Sequence, residues 1–233
     1  MKLRHAALLC IALLAAALPL PFIAAAAGAG ARSHNWAGYV AEGGGYSAVS
    51  GSWTIPAAAG AAGAGDAAWV GIGGMRGGDL IQAGTRADVS AGGSSYEAWY
   101  ELLPAAATPI AMTVAPGDRM RAAIAELAPG RWRIELDDES RGERFSTELA
   151  YDSSGSSAEW IEEAPQRAGA DLPLDDFSAI AFSGARATRA GDAKTPAALG
   201  AARVSLVDAS GALLAAPGRA QGGSFTIARA PAQ

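Results

Sequence analysis

What most restricts the fold of this chain is a hydrophobic alternation of period two that runs almost everywhere after residue 35, in short segments punctuated by Gly, Pro, Ser and Asp. Side chains recurring on every second residue share one face of a strand. The pattern predicts strands at 36–40, 46–55, 67–72, 80–88, 95–102, 110–114, 119–127, 132–137, 144–149, 158–163, 179–182, 204–208, 213–216 and 225–228. So many short strands at even spacing predict an all-β fold, a β-sandwich of antiparallel sheets. The stretch 130–149 reads as a hairpin with Trp132, Ile134 and Leu136 on one side and a charged turn. The segment AAAGAAGAGDAA at 57–68 is rich enough in alanine to suggest a helix, but its glycines predict a surface loop. No internal repeat, heptad or phosphate-binding loop interrupts the pattern.

The first 31 residues stand apart. Lys2 and Arg4 precede a long apolar run that ends in small residues with several Ala-x-Ala choices, the layout of a secretory signal peptide. The run is long enough to be a membrane anchor, but Pro19, Pro21 and the alanine-rich tail favour cleavage. The expectation is a leader over 1–31, one domain over 32–233, and export to the periplasm or outside the cell. Removing Lys2 and Arg4 from the 18 basic residues leaves 16 against 23 acidic, a net charge near −7, with the basic residues scattered. Nucleic acid is therefore not expected as a partner. Cys10 lies in the leader, so the mature chain has no cysteine and keeps one histidine, His34. That composition argues against zinc sites, cysteine nucleophiles and a Ser-His-Asp arrangement. Carboxylates and amides are left as the tools of any catalysis, with no cofactor or metal expected.

Several polar side chains interrupt the apolar alternation. In GGDLIQAG at 77–84, Leu80, Gln82 and Gly84 share one strand face and Ile81 and Ala83 the other, so an amide occupies the middle of a strand. A core glutamine tied to backbone groups is one reading of Gln82, and a functional amide is the other. In YEAWYELLP at 96–104, Glu97, Trp99, Glu101 and Leu103 share a face opposite Tyr96, Ala98, Tyr100 and Leu102. In AEWIEEAP at 158–165, Glu159, Ile161 and Glu163 share a face, with Trp160 and Glu162 on the other. Glu159 and Glu163 are about 13 Å apart along a strand, so only one of them can stand opposite Gln82.

The order of these segments resembles the glutamic peptidases, or eqolisins. The elements are N-W-A-G-Y at 35–39, W-T-I-P at 53–56, W-V-G-I-G-G at 69–74, L-I-Q-A-G at 80–84, Y-E-A-W-Y-E-L-L-P at 96–104, P-G-D at 116–118 and A-E-W-I-E-E-A-P at 158–165. They cover nearly the whole mature chain. The resemblance implies a β-sandwich of two antiparallel sheets, of the concanavalin or lectin-like jelly-roll kind. It also implies a secreted, metal-independent, pepstatin-insensitive acid endopeptidase acting on proteins or peptides, expected to be a monomer. The family's catalytic glutamine and glutamate fall on Gln82 and Glu159. Trp69 and Glu101 match positions near the site, and Glu163 is a second carboxyl on the face of Glu159; Trp99 and Trp160 are expected to pack. The chemistry fits: a carboxylate of ordinary pKa stays ionised at moderately acidic pH and can activate water, while an amide N–H can stabilise the developing oxyanion. One departure is clear. Fungal members carry Asp after W-V-G-I where this chain has Gly73, so a carboxylate that helps position the site is missing there.

Three other readings use the same strands. A non-catalytic carbohydrate- or peptide-binding module needs only the aromatic residues and a concave face. A glycosidase needs two carboxyl groups roughly 5–9 Å apart, for which Glu101 and Glu159 are available. An inactive relative that binds peptides without cutting them is the third, kept open by Gly73.

Overall fold

The segments of alternating hydrophobicity form strands throughout the computed structural model, which describes residues 30–75, 78–167 and 170–231. The expected leader lies outside these residues except for Gly30 and Ala31, and Ala31 already opens a strand. In chain order the elements are β1 (Ala31–Ser33), β2 (Trp36–Glu42), β3 (Tyr46–Thr54), β4 (Gly65–Gly73), β5 (Leu80–Ser90) and β6 (Gly93–Leu102). They continue with β7 (Thr108–Ile110), β8 (Arg119–Ala128), β9 (Arg131–Asp138), β10 (Glu143–Ala150), β11 (Ser157–Glu163), β12 (Gln166–Arg167) and β13 (Ala170–Asp171). The last are β14 (Ala179–Arg189), β15 (Asp192–Lys194), α1 (Pro196–Leu199), β16 (Ala202–Val207), β17 (Leu213–Pro217) and β18 (Phe225–Arg229).

Where the strands differ from the sequence pattern, local chemistry accounts for it. Segment 110–114 is a strand only as β7, since Met112 N–H turns back to donate to the Ile110 carbonyl. β7 is an edge strand carrying Pro109, a residue that cannot donate to a further neighbour. Segment 179–182 runs on to Arg189, because the pairing with β3 shifts register between Ser183 and Arg186 and the strand survives a bulge at Gly184. The four-residue helix α1 is too short to show a period; Thr195 caps it and Gly200 ends it.

Sixteen of the strands form one hydrogen-bonded sheet; fourteen follow the path β10-β9-β8-β3-β14-β18-β17-β16-β2-β11-β4-β5-β6-β7, and β1 and β15 branch from it at β16 and β14. The ladders are antiparallel except for β1 on β16. Instead of two separate sheets there is a single continuous path, joined through β18, β17 and β16. Its two ends nevertheless lie face to face. The Trp53 indole of β3 donates to Thr85 Oγ1 of β5 at 2.9 Å, and the Trp160 indole of β11 donates to the Ser50 carbonyl of β3 at 2.9 Å.

The main core fills the space between these layers. It takes Ala68, Val70 and Ile72 from β4, Ile81 and Ala83 from β5, Ala158 and Trp160 from β11, and Trp53, Ile124, Trp132, Ile134 and Phe182 from the facing strands. Period two then sends the alternate residues of β4, β5, β6 and β11 to the opposite face. There a second cluster forms from Trp36, Val40, Trp69, Leu80, Trp99, Leu103, Ile161 and Val204. That second face carries Gln82, Glu101, Glu159 and Glu163.

Candidate active site

Register brings together residues that are far apart in sequence. Gln82 pairs with Glu101 on one side and with Gly71 on the other, and Gly71 pairs with Glu159. Glu101, Gln82, Gly71 and Glu159 therefore occupy one level across β6, β5, β4 and β11, on one face. Gln82 and Glu159 are two strand spacings apart, about 10 Å between Cα atoms. The position between them is a glycine, over which the Leu80 and Trp69 side chains close. A Cβ on Gly71 would come 2.9 Å from Leu80 Cδ1, 3.0 Å from Trp69 Cζ3 and 3.3 Å from Gln82 Cβ.

Gln82 is buried, with 5% exposure, yet it is not held by backbone groups as a core amide would be. Its Nε2 donates to Glu101 Oε2 at 2.6 Å, and its Oε1 has no hydrogen-bond partner. A carboxylate can only accept, so Glu101 fixes which end of the amide faces it. One N–H and the carbonyl of Gln82 are left for other work. Burial raises the Glu101 carboxyl above its usual range, opposed first by the bond from Gln82.

Glu159 is completely buried, and neither carboxyl oxygen has a hydrogen-bond partner among the described residues. Burial drives its pKa well above that of an ordinary glutamate; the Ser157 hydroxyl opposes this, and the Asp79 and Glu42 carboxylates add to it. This corrects the expectation of an ordinary carboxylate pKa. The reason is desolvation: a charge removed from water is disfavoured whatever its sign.

Glu163 is two positions beyond Ile161 on the same face, opposite Ala67 and Trp36 and not opposite Gln82. Trp69 Nε1 donates to its Oε2 at 2.8 Å and Asn35 Nδ2 to its Oε1 at 3.1 Å. Burial raises Glu163 to about 7, against the Trp69 bond and with the Glu101 charge adding to the rise. Trp69, itself fully buried, thus reaches from Glu163 to Gly71, and Trp36 packs edge-on against it at 5.1 Å. Of the two tryptophans expected to pack, Trp160 lies in the main core and Trp99 in the second cluster.

Three contributors had no assigned role in the sequence. Asn35, placed at the bend between β1 and β2, is fixed by Ser33 and holds Glu163. Its signal was the N-W-A-G-Y element. Gly71 is the third residue of W-V-G-I, where only pairing reveals its use. Asp79, just before β5, accepts from the Ser154 N–H. Among the described residues no group of three or more His, Cys, Asp or Glu is arranged to hold a metal ion, and no helix is long and apolar enough to cross a membrane.

One face of this all-β sheet thus sets an amide between buried carboxyl groups. A family model described as the Peptidase A4 family matches residues 34–228, and the chain belongs to that family, the glutamic-type endopeptidases. Aspergillopepsin-2 of Aspergillus niger is 28% identical over 190 residues, covering 70% of this chain and 67% of that protein. The fold is similar to that of scytalido-glutamic peptidase solved with a transition state analog inhibitor, with a TM-score of 0.75, 22% identity, and coverage of 84% of this chain and 98% of that one. It is also similar to aspergilloglutamic peptidase from Aspergillus niger, with a TM-score of 0.64, 24% identity, and coverage of 72% and 99%.

Proposed function

We propose that this protein is a secreted, monomeric acid endopeptidase that cleaves peptide bonds through Gln82 and Glu159, without a metal. What supports the reading is the single row Glu101, Gln82, Gly71 and Glu159, with a glycine between the amide and the second carboxyl. In the fraction of molecules in which Glu159 has lost its proton, its carboxylate takes a proton from a water whose oxygen bonds to the scissile carbonyl carbon. The free N–H of Gln82 donates to the oxyanion, and its Oε1 accepts from the water. Glu159 then passes the proton to the amine nitrogen as the C–N bond breaks, leaving one carboxyl and one amine terminus. Glu101 keeps the amide in the donating orientation. Trp69 and Asn35 hold Glu163 at the edge of the site. The sheet itself is proposed to be a two-layered jelly roll in which the continuous path folds over on itself.

The glycosidase reading is weakened by the same row. Glu101 and Glu159 are three strand spacings apart, about 14 Å between Cα atoms, with Gln82 between them and bound to Glu101.

The test is digestion of denatured protein by the wild type and by Gln82→Ala and Glu159→Gln, each checked for folding by circular dichroism. Both folded variants are expected to lose cleavage, and the wild type to retain it in the presence of chelators, thiol reagents and pepstatin-type inhibitors. Full activity in folded Gln82→Ala contradicts the assignment.

A further inference from the structure

The site holds a carboxylate that none of the recognised motifs assigns. Gly73 follows Gly71 by two on the same face of β4, and its φ of +102° is one that L side chains rarely adopt. The space its side chain would enter is already filled. A Cβ there would come 2.8 Å from Asp79 Oδ2 and 2.6 Å from the Asp79 carbonyl oxygen. The connection between β4 and β5 therefore folds back on itself: Gly73 pairs with Leu80, and Gly74 N–H donates to the Asp79 carbonyl at 2.5 Å.

Asp79 is held in that place from the other side. Ser154 N–H donates to its Oδ2 at 2.7 Å and the Ser153 hydroxyl donates at 3.3 Å. The groups acting on Glu159 are then few. Its own strand contributes Ser157, whose hydroxyl is committed to the Gly73 carbonyl at 2.6 Å. β4 contributes two glycines, β2 contributes Glu42, the Tyr46 phenol of β3 feels the Glu159 charge, and the β4–β5 connection contributes Asp79. Glu159 has no hydrogen-bond partner among the described residues, so fixed charge has an unusually large say in where its proton resides.

We propose that Asp79 is a positioning residue for the proton transfer at Glu159, its carboxylate seated against Gly73, two residues along β4 from the Gly71 that pairs with Glu159. An anion beside Glu159 favours its protonated form, so it strengthens Glu159 as the base that removes a proton from water. The role rests on the Gln82–Glu159 reading above. The bonds from Ser153 and Ser154 keep the anion in place, and the glycine leaves it room.

The experiment is the pH dependence of kcat/KM on a peptide substrate for wild type, Asp79→Asn, Asp79→Glu and Ser153→Ala, with a thermal melt of each. Asp79→Asn keeps the shape and removes the charge. Its acid limb is expected to move down by at least about half a pH unit, a threefold change in the proton dissociation constant. Asp79→Glu is expected to return the limb toward its wild-type position, and Ser153→Ala, which removes one of the bonds that hold the anion, to move it in the same direction as Asp79→Asn but by less. If Asp79→Asn does not fold, Asp79→Ser provides the same comparison without the charge. An acid limb that stays in place when the charge is removed, even with a lowered melting temperature, overturns the proposal and leaves Asp79 a structural role. Glu159→Gln separates the two levels of the argument: if it remains active, the dyad fails; if it is inactive while Asp79→Asn keeps the wild-type limb, only Asp79 fails.

Discussion

Gln82 shows how one side chain acquires a function from its partners. Bound to backbone groups it would be a satisfied core amide, but it is bound to Glu101 and keeps its carbonyl unpaired. Replacing it with Ala removes the oxyanion donor and is expected to lower kcat by about a hundredfold to a thousandfold, with the loss mainly in kcat and not KM. Steady-state kinetics on a peptide substrate decides this, and a loss confined to KM would speak against transition-state stabilisation. Glu163 belongs to the same scale. With a pKa near 7 it is neutral in acid, and its ionisation adds at the edge of the site a charge that acts on Glu101. Activity should therefore fall as pH rises through about 7, and Glu163→Gln should remove that limb. His34 is exposed at the bend before β2, and His34→Gln should leave the profile as it is; a displaced alkaline limb in that variant would show that the histidine takes part.

At the scale of elements, the site depends on which strands are neighbours. Period two was enough to place Gln82 with Leu80, Glu101 with Trp99, and Glu159 with Ile161 and Glu163, because alternation fixes faces without knowledge of partners. It could not reveal that β4 lies between β5 and β11, since the pairing of Gly71 with Glu159, some 88 residues further on, leaves no local trace. For the same reason W-V-G-I does not reveal the place of Gly71 in the row, or that Asp79 lies against Gly73. Gly71→Ala tests the element directly. Its methyl group would crowd Leu80, Trp69 and Gln82, and shifting reacting groups by even about 1 Å can cost a hundredfold in rate. A fall of at least tenfold in kcat/KM with a cooperative thermal melt is expected; unchanged kinetics would mean the close packing over Gly71 is not needed.

Across the whole molecule, buried carboxyl groups tie stability to acidity. Asp66, Glu162 and Asp175 are all buried; Asp175 adds to the rise of Asp66, and both add to that of Glu162. The sequence put Glu162 on the Trp160 face but gave no sign of this company, because Asp66 and Asp175 lie in distant segments. Burial dominates all three shifts, with Asp175 raised to about 6 even though Arg229 opposes the rise; Asp88, Asp176 and Glu163 are further anions acting on the group. Since the folded pKa values exceed the unfolded ones, the native state binds more protons. The stabilisation is complete below the ordinary carboxylate range near pH 4 and is lost as pH rises through the folded values. The melting temperature should fall between about pH 4 and 7, and Glu162→Gln should flatten that fall. A melting temperature that rises over this interval would contradict the linkage.

The central claim is that Glu159 does the chemistry in a row with Gln82, and cleavage of a denatured protein between about pH 2 and 5 by wild type and by folded Glu159→Gln tests it most directly. The account predicts fragments from the wild type and none above background from the variant. Equal digestion by both, or an inactive Glu163→Gln beside an active Glu159→Gln, would contradict it.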